Sequence, residues 1–209
     1  MQNLKCNFSG IYLLEDFLDG TVLDFTGLEE TRCYCSRQSA DIIRAALAPY
    51  GPGGLHWIDS GDYHYVSLFI QEMIDEPYSL VLFDHHPDDQ AGAFGQELLS
   101  CGSWVSEVHK LKNWRQNADN VYISIDKDVL SKDFARTDWD QGDMTLDELF
   151  ASIRDISLNH RIIGVDICGE PSVLDGTCSE DVSINSKTNR LIQEFLLNLP
   201  GFELHTNKL

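Results

Sequence analysis

Three short apolar runs, each followed at once by an aspartate, constrain the fold of this chain more than any other feature. They are Ser79–Phe83 before Asp84, Asn120–Ile125 before Asp126, and Arg161–Val165 before Asp166. Unbroken apolar runs of this length are typical of strands in a parallel sheet that is covered on both faces. The sequence therefore predicts a buried sheet whose strands end in carboxylates.

Helical patterns alternate with these runs. Apolar residues three and four positions apart predict helices over Ser39–Leu47, Tyr65–Ile74, Thr145–Ile156 and Thr188–Leu197. Thr145 and Glu148 have the spacing of a helix-capping box, and Gly54–Asp59 is predicted as a further short strand. Strand–helix alternation favours an α/β fold with three layers, α/β/α, around a central and mostly parallel sheet. We predict one such domain over residues 1–209.

Charge excludes several classes of partner. The chain has 209 residues, and 34 acidic against 15 basic residues give it a net charge of −19. Such a chain repels phosphate backbones and anionic lipid, so we expect neither a nucleic acid nor a membrane as partner. There is no apolar run of about 18 residues that would span a membrane. A small cationic substrate or metal ions fit the charge, and the sequence leaves a homo-oligomer open.

The cysteines favour a reducing compartment. A chain of this length can bury a full core without disulfides, and its N-terminus lacks the apolar segment of a signal peptide. Cys33-Tyr34-Cys35 lacks the spacing of a zinc or redox motif. We therefore predict free thiols and a cytoplasmic location.

Two of the predicted strands continue directly into metal-ligand patterns, Asp84-His85-His86-Pro87-Asp88 and Ser124-Ile125-Asp126-Lys127-Asp128. Alternate residues of an extended segment point to the same side, and ligands in α/β folds bind beyond the carboxyl ends of strands. A histidine in the turn after the strand Gly54–Asp59 can join them. The candidate metal ligands are His64, Asp84, His86, Asp88, Asp126 and Asp128.

Four carboxylates cannot be buried together in ionised form without compensating positive charge. Two divalent cations would supply it. Oxygen-rich ligation with some imidazole predicts Mn²⁺, with Fe²⁺, Co²⁺ and Zn²⁺ as lesser options. An exposed polar loop with capping aspartates is the alternative interpretation of the same residues.

These motifs resemble those of the arginase/ureohydrolase family, which includes arginase, agmatinase and formiminoglutamase. The matching segments are the D-x-H-x-D of Asp84–Asp88 and the S-x-D-x-D of Ser124–Asp128, with looser matches at Gly61–His64, Trp139–Thr145 and Asp166–Pro171. The chain is a short and divergent member by this resemblance, which spans about residues 54 to 172.

The resemblance implies an arginase-like fold and a centre with two metal ions. The implied ligand sets are His64, Asp84, Asp88 and Asp126 for one ion, and Asp84, His86, Asp126 and Asp128 for the other, with Asp84 and Asp126 bridging. A hydroxide held between the metals would attack a guanidino, amidino or formimino carbon and break a linear C–N bond.

The resemblance also implies catalytic and substrate-binding roles. Asp88 would pass a proton to the leaving amine, and Glu170 would pair with the cationic substrate. Cys101 stands where the family has a histidine that contacts the substrate, and a small buried residue is the alternative interpretation. Glu170 lies one residue later than the family spacing.

Two other functions remain open at this point. One is a metal-binding protein of the same fold without catalytic activity. The other is a deacetylase-like amide hydrolase, which the pair His85-His86 suggests. The second aspartate of Asp126-x-Asp128 favours two metals and hence the ureohydrolase interpretation. His85 is expected to point away from the site, because it alternates with His86 along the strand.

Overall fold

The computed structural model describes residues 3–14, 20–90, 98–200 and 202. The strands within these ranges are β1 (Asn3–Asn7), β2 (Thr21–Asp24), β3 (Tyr34–Cys35), β4 (Gly54–Ile58), β5 (Ser79–Phe83), β6 (Leu99–Ser100), β7 (Asn120–Asp126) and β8 (Arg161–Cys168). They form a six-stranded parallel sheet of order β2-β1-β4-β8-β7-β5 and a small antiparallel pair, β3 and β6.

The helices are α1 (Arg37–Leu47), α2 (Val66–Gln71), α3 (Trp104–Val108), α4 (Leu146–Asn159) and α5 (Ser179–Leu197). The predicted capping box is confirmed: the Thr145 backbone N donates to Glu148 Oε2 at 2.9 Å, and the Glu148 backbone N donates to Thr145 Oγ1 at 3.3 Å. Within the described ranges, no helix combines the length and the apolar character that a membrane crossing requires.

The sheet separates two apolar cores, which confirms the predicted three-layer α/β/α architecture. Ile43, Phe69 and Trp104 of α1, α2 and α3 pack on one face. Leu149 of α4 and Ile192 of α5 pack on the other.

The alternation of β7 places the functional side chains on one face. Tyr122 belongs to the core under α1–α3, whereas Ile123 and Ile125 belong to the core under α4 and α5. Because side chains alternate along a strand, Ser124 and Asp126 share the face of Tyr122. His64 immediately precedes the α2 region on that same face, so the fold brings it over the end of β7.

The prediction that Asp166 lies at the carboxyl end of its strand is wrong. The predicted run ends at Val165, but β8 continues to Cys168, two residues beyond Asp166. Asp166 lies beside Ser124 in the sheet register, and Cys168 lies beside Asp126. The strand is longer because Ile167 continues the apolar alternation past Asp166 and is itself fully buried. Asp84 and Asp126 lie at the carboxyl ends of their strands as predicted.

Candidate metal centre

His64 is the most constrained side chain of the site. It is 1% exposed, and its Nδ1 atom lies 3.2 Å from Asp84 Oδ2, 3.1 Å from Asp88 Oδ2 and 3.6 Å from Asp126 Oδ2. Among the described residues, neither His64 Nδ1 nor Asp84 Oδ2 has a hydrogen-bond partner. A buried imidazole nitrogen that faces three carboxylates in this way leaves a place for a cation.

Ser124 determines which nitrogen of His64 carries the proton. The Ser124 hydroxyl donates its single hydrogen to Asp166 Oδ1 at 2.6 Å. It must therefore accept from His64 Nε2, which lies 2.8 Å away. Nδ1 of the neutral ring then carries a lone pair directed at the carboxylates, as in histidines that bind metals through one nitrogen and hydrogen-bond through the other.

A second cluster adjoins the first and shares Asp84. His86 Nδ1 lies 2.8 Å from Asp128 Oδ2 and 3.8 Å from Asp84 Oδ1. Asp128 is held by the backbone N of His85, which donates to its Oδ1 at 2.9 Å. Asp84 thus presents one oxygen to each cluster, which is the arrangement expected of a carboxylate between two ions.

Asp88 is held in place by a strained backbone and by Trp104. Its φ of 48° is in the left-handed region, where a non-glycine residue costs about 1–3 kcal/mol. The indole Nε1 of Trp104 donates to Asp88 Oδ2 at 2.7 Å, and the Trp104 ring lies 4.7 Å from the His64 ring. The side chain is therefore positioned from outside the cluster.

Asp126 directs one oxygen to each side. Its Oδ1 accepts from the backbone N of Asp128 at 2.9 Å, and its Oδ2 accepts from Cys168 Sγ at 3.1 Å. Gly169 follows with a φ of +86°, and a Cβ there would lie 2.4 Å from Asp126 Oδ1. The close approach of this carboxylate to β8 therefore requires glycine at position 169.

The donor geometry fits metal ions. His64, Asp84 and Asp88 form one group of ligand-type atoms within 4.8 Å of one another, and Asp84, His86 and Asp128 form another. Ligand atoms about 2.0–2.3 Å from one ion lie about 3.0–3.6 Å apart, close to the separations measured around His64. The buried atoms His64 Nδ1 and Asp84 Oδ2, which have no hydrogen-bond partner among the described residues, support the same conclusion.

Without a cation the site holds protons instead. Burial, followed by the charges of Asp128 and Asp84, raises the pKa of Asp126 to about 7. Burial and the charge of Asp84 raise the pKa of Asp128 to about 6. Burial lowers the pKa of His64, but Cys168 and the adjacent carboxylates of Asp84 and Asp88 outweigh it and bring that pKa well above its ordinary value. Metal binding at this site must therefore displace protons.

A cavity of about 240 Å³ opens onto these residues. This is below the roughly 300–1,000 Å³ of most ligand pockets, which suits a small molecule. Its walls are made by the metal-ligand candidates together with neutral side chains. The lining residues are Cys33, Tyr34, Gly61, Asp84, His86, Asp88, Gln90, Ser100, Cys101, Gly102, Asp126, Asp128 and Trp139.

Glu170, which the sequence predicts as a substrate contact, is not among the residues that line the cavity. Its side chain is fully buried, and Lys127 Nζ lies 2.5 Å from Glu170 Oε1. Asn189 donates to Oε1 at 2.6 Å, and Asn185 donates to Oε2 at 3.0 Å. Gly169 has no room for a side chain, and Glu170 next to it faces α5. In this structure its contacts are to Lys127, Asn185 and Asn189, and its catalytic and substrate-binding roles stay predictions.

Cys101 borders the site, and His85 is not one of the ligand-type groups. Cys101 lines the cavity, and burial, then Cys33 and Asp88, raise the pKa of its thiol to about 12. It is therefore a neutral group at neutral pH and not a proton relay. His85 is exposed and outside both ligand clusters. The six predicted metal ligands come together at one end of the sheet, and metal binding itself stays a prediction.

Sequence reasoning missed Cys168 and the orienting role of Ser124. Cys168 lies two residues beyond Asp166, so the period of two along β8 puts both side chains on the site face. The apolar Ile167 between them is the signal that the sequence offers, since it continues the alternation of the strand past Asp166.

Known structures share this fold. Proclavaminate amidino hydrolase from Streptomyces clavuligerus superposes with a TM-score of 0.62 at 16% identity, covering 94% of this chain and 80% of that one. Arginase from Bacillus subtilis gives a TM-score of 0.59 at 11% identity, covering 95% and 98%. Arginase from Medicago truncatula gives 0.55 at 16% identity, covering 77% and 64%. The chain therefore has the arginase/ureohydrolase fold that its motifs predicted.

Sequence comparison adds one relative. The chain is 33% identical to a protein of Thermotoga maritima described only as uncharacterized, and the match covers 72% of each. The chain belongs to one family with that protein, within the arginase/ureohydrolase fold. A search of family models found no match.

Proposed function

We propose that this protein is a hydrolase that depends on two divalent metal ions and breaks a linear C–N bond other than a peptide bond. The substrate is a small guanidino, amidino or formimino compound with positive charge. The observation that carries the proposal is the pair of ligand clusters sharing Asp84, with a lone pair of buried His64 aimed at three carboxylates.

The fold supports the same class of reaction. Its neighbours of known structure include an amidino hydrolase and two arginases. His64, Asp84, Asp88 and Asp126 would hold one ion, and Asp84, His86 and Asp128 the other, with Asp126 as a further bridge. Mn²⁺ suits the oxygen-rich second set. When bound, two such ions would supply a water nucleophile of lowered pKa.

The protein's own groups do the rest. Asp88 borders the cavity, and its carboxylate would hold a proton and pass it to the leaving nitrogen. Trp139, whose ring centre lies 5.9 Å from that of His86, forms part of the wall. Its face would shield the reacting atoms from water and contact a planar cation. Cys101 would contact the substrate as a neutral thiol.

Turnover tests this proposal. The full chain, loaded with Mn²⁺, is incubated with a panel of guanidino, amidino and formimino compounds, and the release of urea, ammonia or formamide is measured. We expect release from at least one compound and none after removal of metal by a chelator. Activity that survives complete removal of metal would reject the metal mechanism. His85→Ala serves as a matched control for His86→Ala.

A non-catalytic metal-binding protein is the second candidate. Two observations favour it: Glu170 is turned away from the cavity, and a neutral Cys101 stands where the family has a histidine. Two ions bound per chain without turnover on any compound of the panel would support it. A deacetylase-like function has less support, because His86 is committed to Asp128.

We also propose a cytoplasmic location. All six cysteines are free, which is typical of a reducing compartment.

A further inference from the structure

Cys168 ends β8 directly beside the His64 cluster, and its side chain is fully buried. Its Sγ atom lies 3.1 Å from Asp126 Oδ2, and Nδ1 of His64 lies 3.6 Å from the same oxygen. Ligand-type atoms of these three residues all lie within 4.8 Å of one another. Sulfur and nitrogen therefore converge on one carboxylate oxygen.

A second observation indicates that a cation belongs between Cys168 Sγ, His64 Nδ1 and Asp126 Oδ2. His64 Nδ1 is buried and has no hydrogen-bond partner among the described residues, and its lone pair faces the carboxylates because Ser124 fixes the tautomer. The thiol could do no more than donate to Asp126 if the site held no ion. With an ion present, its sulfur occupies a ligand position at the same separations as the oxygen donors, and a coordinating thiol is deprotonated.

We infer that Cys168 is a thiolate ligand of the ion held by the His64 cluster, so that this half of the site prefers Zn²⁺, Co²⁺ or Fe²⁺ to Mn²⁺. The inference rests on the metal centre of the proposed function and goes beyond it by naming a ligand and a metal preference. Soft thiolate donors favour these later metals, whereas carboxylates suit Mn²⁺.

The two halves of the centre then differ in chemistry. The half around His86 and Asp128 offers oxygen and nitrogen alone in the described cluster, whereas the half around His64 adds sulfur. Four carboxylates balance two divalent ions, so a thiolate leaves one negative charge in excess. A cationic substrate entering the cavity would offset it.

Cobalt spectroscopy tests the inference. The metal-free full chain is titrated with Co²⁺ without oxygen, and its near-ultraviolet and visible spectra are recorded together with bound cobalt. We expect an intense sulfur-to-cobalt charge-transfer band in the wild type and its loss in Cys168→Ser. The double variant Cys33→Ser/Cys101→Ser, which removes the cavity-lining thiols, should keep the band.

Each other outcome has a definite meaning. Cobalt bound by the wild type without the band would overturn the thiolate ligand while leaving the metal centre intact. A band lost in the double variant but kept in Cys168→Ser would overturn it as well. No bound cobalt at all would overturn both this inference and the proposed function. The wild-type spectrum can refute the inference even where Cys168→Ser folds poorly.

Metal competition is an independent measurement. The wild type and Cys168→Ser are equilibrated with equal concentrations of Zn²⁺ and Mn²⁺, and bound metals are measured by elemental analysis. We expect the ratio of zinc to manganese to fall in the variant. An unchanged ratio would overturn the metal preference.

Discussion

Two buried charged clusters lie beyond the ends of β7 and β8, and only one of them has its negative charge balanced by a side chain of this protein. In one, Lys127 Nζ lies 2.5 Å from Glu170 Oε1 and 2.8 Å from Asn189 Oδ1, and two asparagine amides donate to Glu170. In the other, Nδ1 of His64 faces the carboxylates of Asp84 and Asp88 and has no hydrogen-bond partner among the described residues. The first is complete within the chain, and the second is not.

The difference teaches how to distinguish a structural cluster from a binding one. Burying charge is tolerated when each group has a partner of opposite sign and satisfied hydrogen bonds. Lys127 and Glu170 meet that condition. The aspartates around His64 do not meet it, so their repulsion must be relieved by protons or by cations from solution. A cluster with excess charge of one sign and orphaned atoms is therefore a candidate binding site.

The largest expected effect follows from breaking the complete cluster. Lys127→Met leaves Glu170 buried without its cation, and the free energy of unfolding should fall by about 3–5 kcal/mol. Denaturant unfolding measures this loss. The double variant Lys127→Met/Glu170→Gln should recover most of it, since the unpaired charge is gone. A loss below about 1 kcal/mol in the single variant would show that the ion pair is not what closes this cluster.

Removing the shared carboxylate affects binding more than folding. Asp84→Asn takes one ligand from each group, so metal affinity should fall by more than the roughly 10–100-fold that loss of an outer partner costs. The metal-free variant should be at least as stable as the wild type, because repulsion is relieved. Metal content and unfolding are measured together.

Two single-histidine variants provide the matched control for the ligand assignment. His85→Ala should retain metal, whereas His86→Ala should lose it, since His86 belongs to a ligand group and the exposed His85 does not. Equal loss from both variants would contradict the assignment.

An effect of intermediate size is expected at the hydrogen bond behind His64. Ser124→Ala removes the acceptor that fixes the ring tautomer, and metal affinity should fall by about 10–100-fold. Isothermal titration with Mn²⁺ or Zn²⁺ measures it. Ser79→Ala, which removes a hydroxyl from β5 that bonds backbone atoms of Arg115 and Ala118, is the control and should bind metal like the wild type.

The smallest expected effect is the pH dependence of the metal-free protein. The raised pKa values of Asp126, about 7, and Asp128, about 6, mean that the folded state binds protons more tightly than the unfolded chain. Their stabilising contribution is therefore full below about pH 4 and is lost as pH rises through about 6 to 7. His64 acts in the same direction, because its pKa is also raised.

Thermal unfolding relative to Asp126→Asn isolates this contribution. Between about pH 8 and 5, the Tm of the metal-free wild type should rise relative to the variant by several degrees, since each 1 kcal/mol corresponds to about 2–4 °C for a chain of this size. With metal bound the trend should reverse, because protons then compete with the ion. A constant difference in Tm across this range would contradict the raised pKa of Asp126.

Local pattern predicted the parts of the fold whose burial is recorded in apolar runs. β5 matches its predicted bounds, β7 extends its predicted run by one residue, and the capping box of α4 is present. β1 was missed because its buried residues include Asn3, Lys5 and Asn7. Helix α5 begins at Ser179, nine residues before its predicted start at Thr188. The first part was missed because its buried residue is the polar Asn185, which does not contribute to an apolar pattern.

The sequence by itself determined which residues meet at the site. The strands end at Asp84 and Asp126, their ligand patterns follow with a period of two, and parallel strands place those ends at one edge. Tertiary structure alone decided which polar groups are satisfied. Glu170 turns to Lys127 because Asp126 fills the space beside Gly169, and Cys168 reaches His64 because β8 runs two residues past Asp166. Whether a buried charge has a partner depends on contacts between residues far apart in the chain, and local pattern does not contain them.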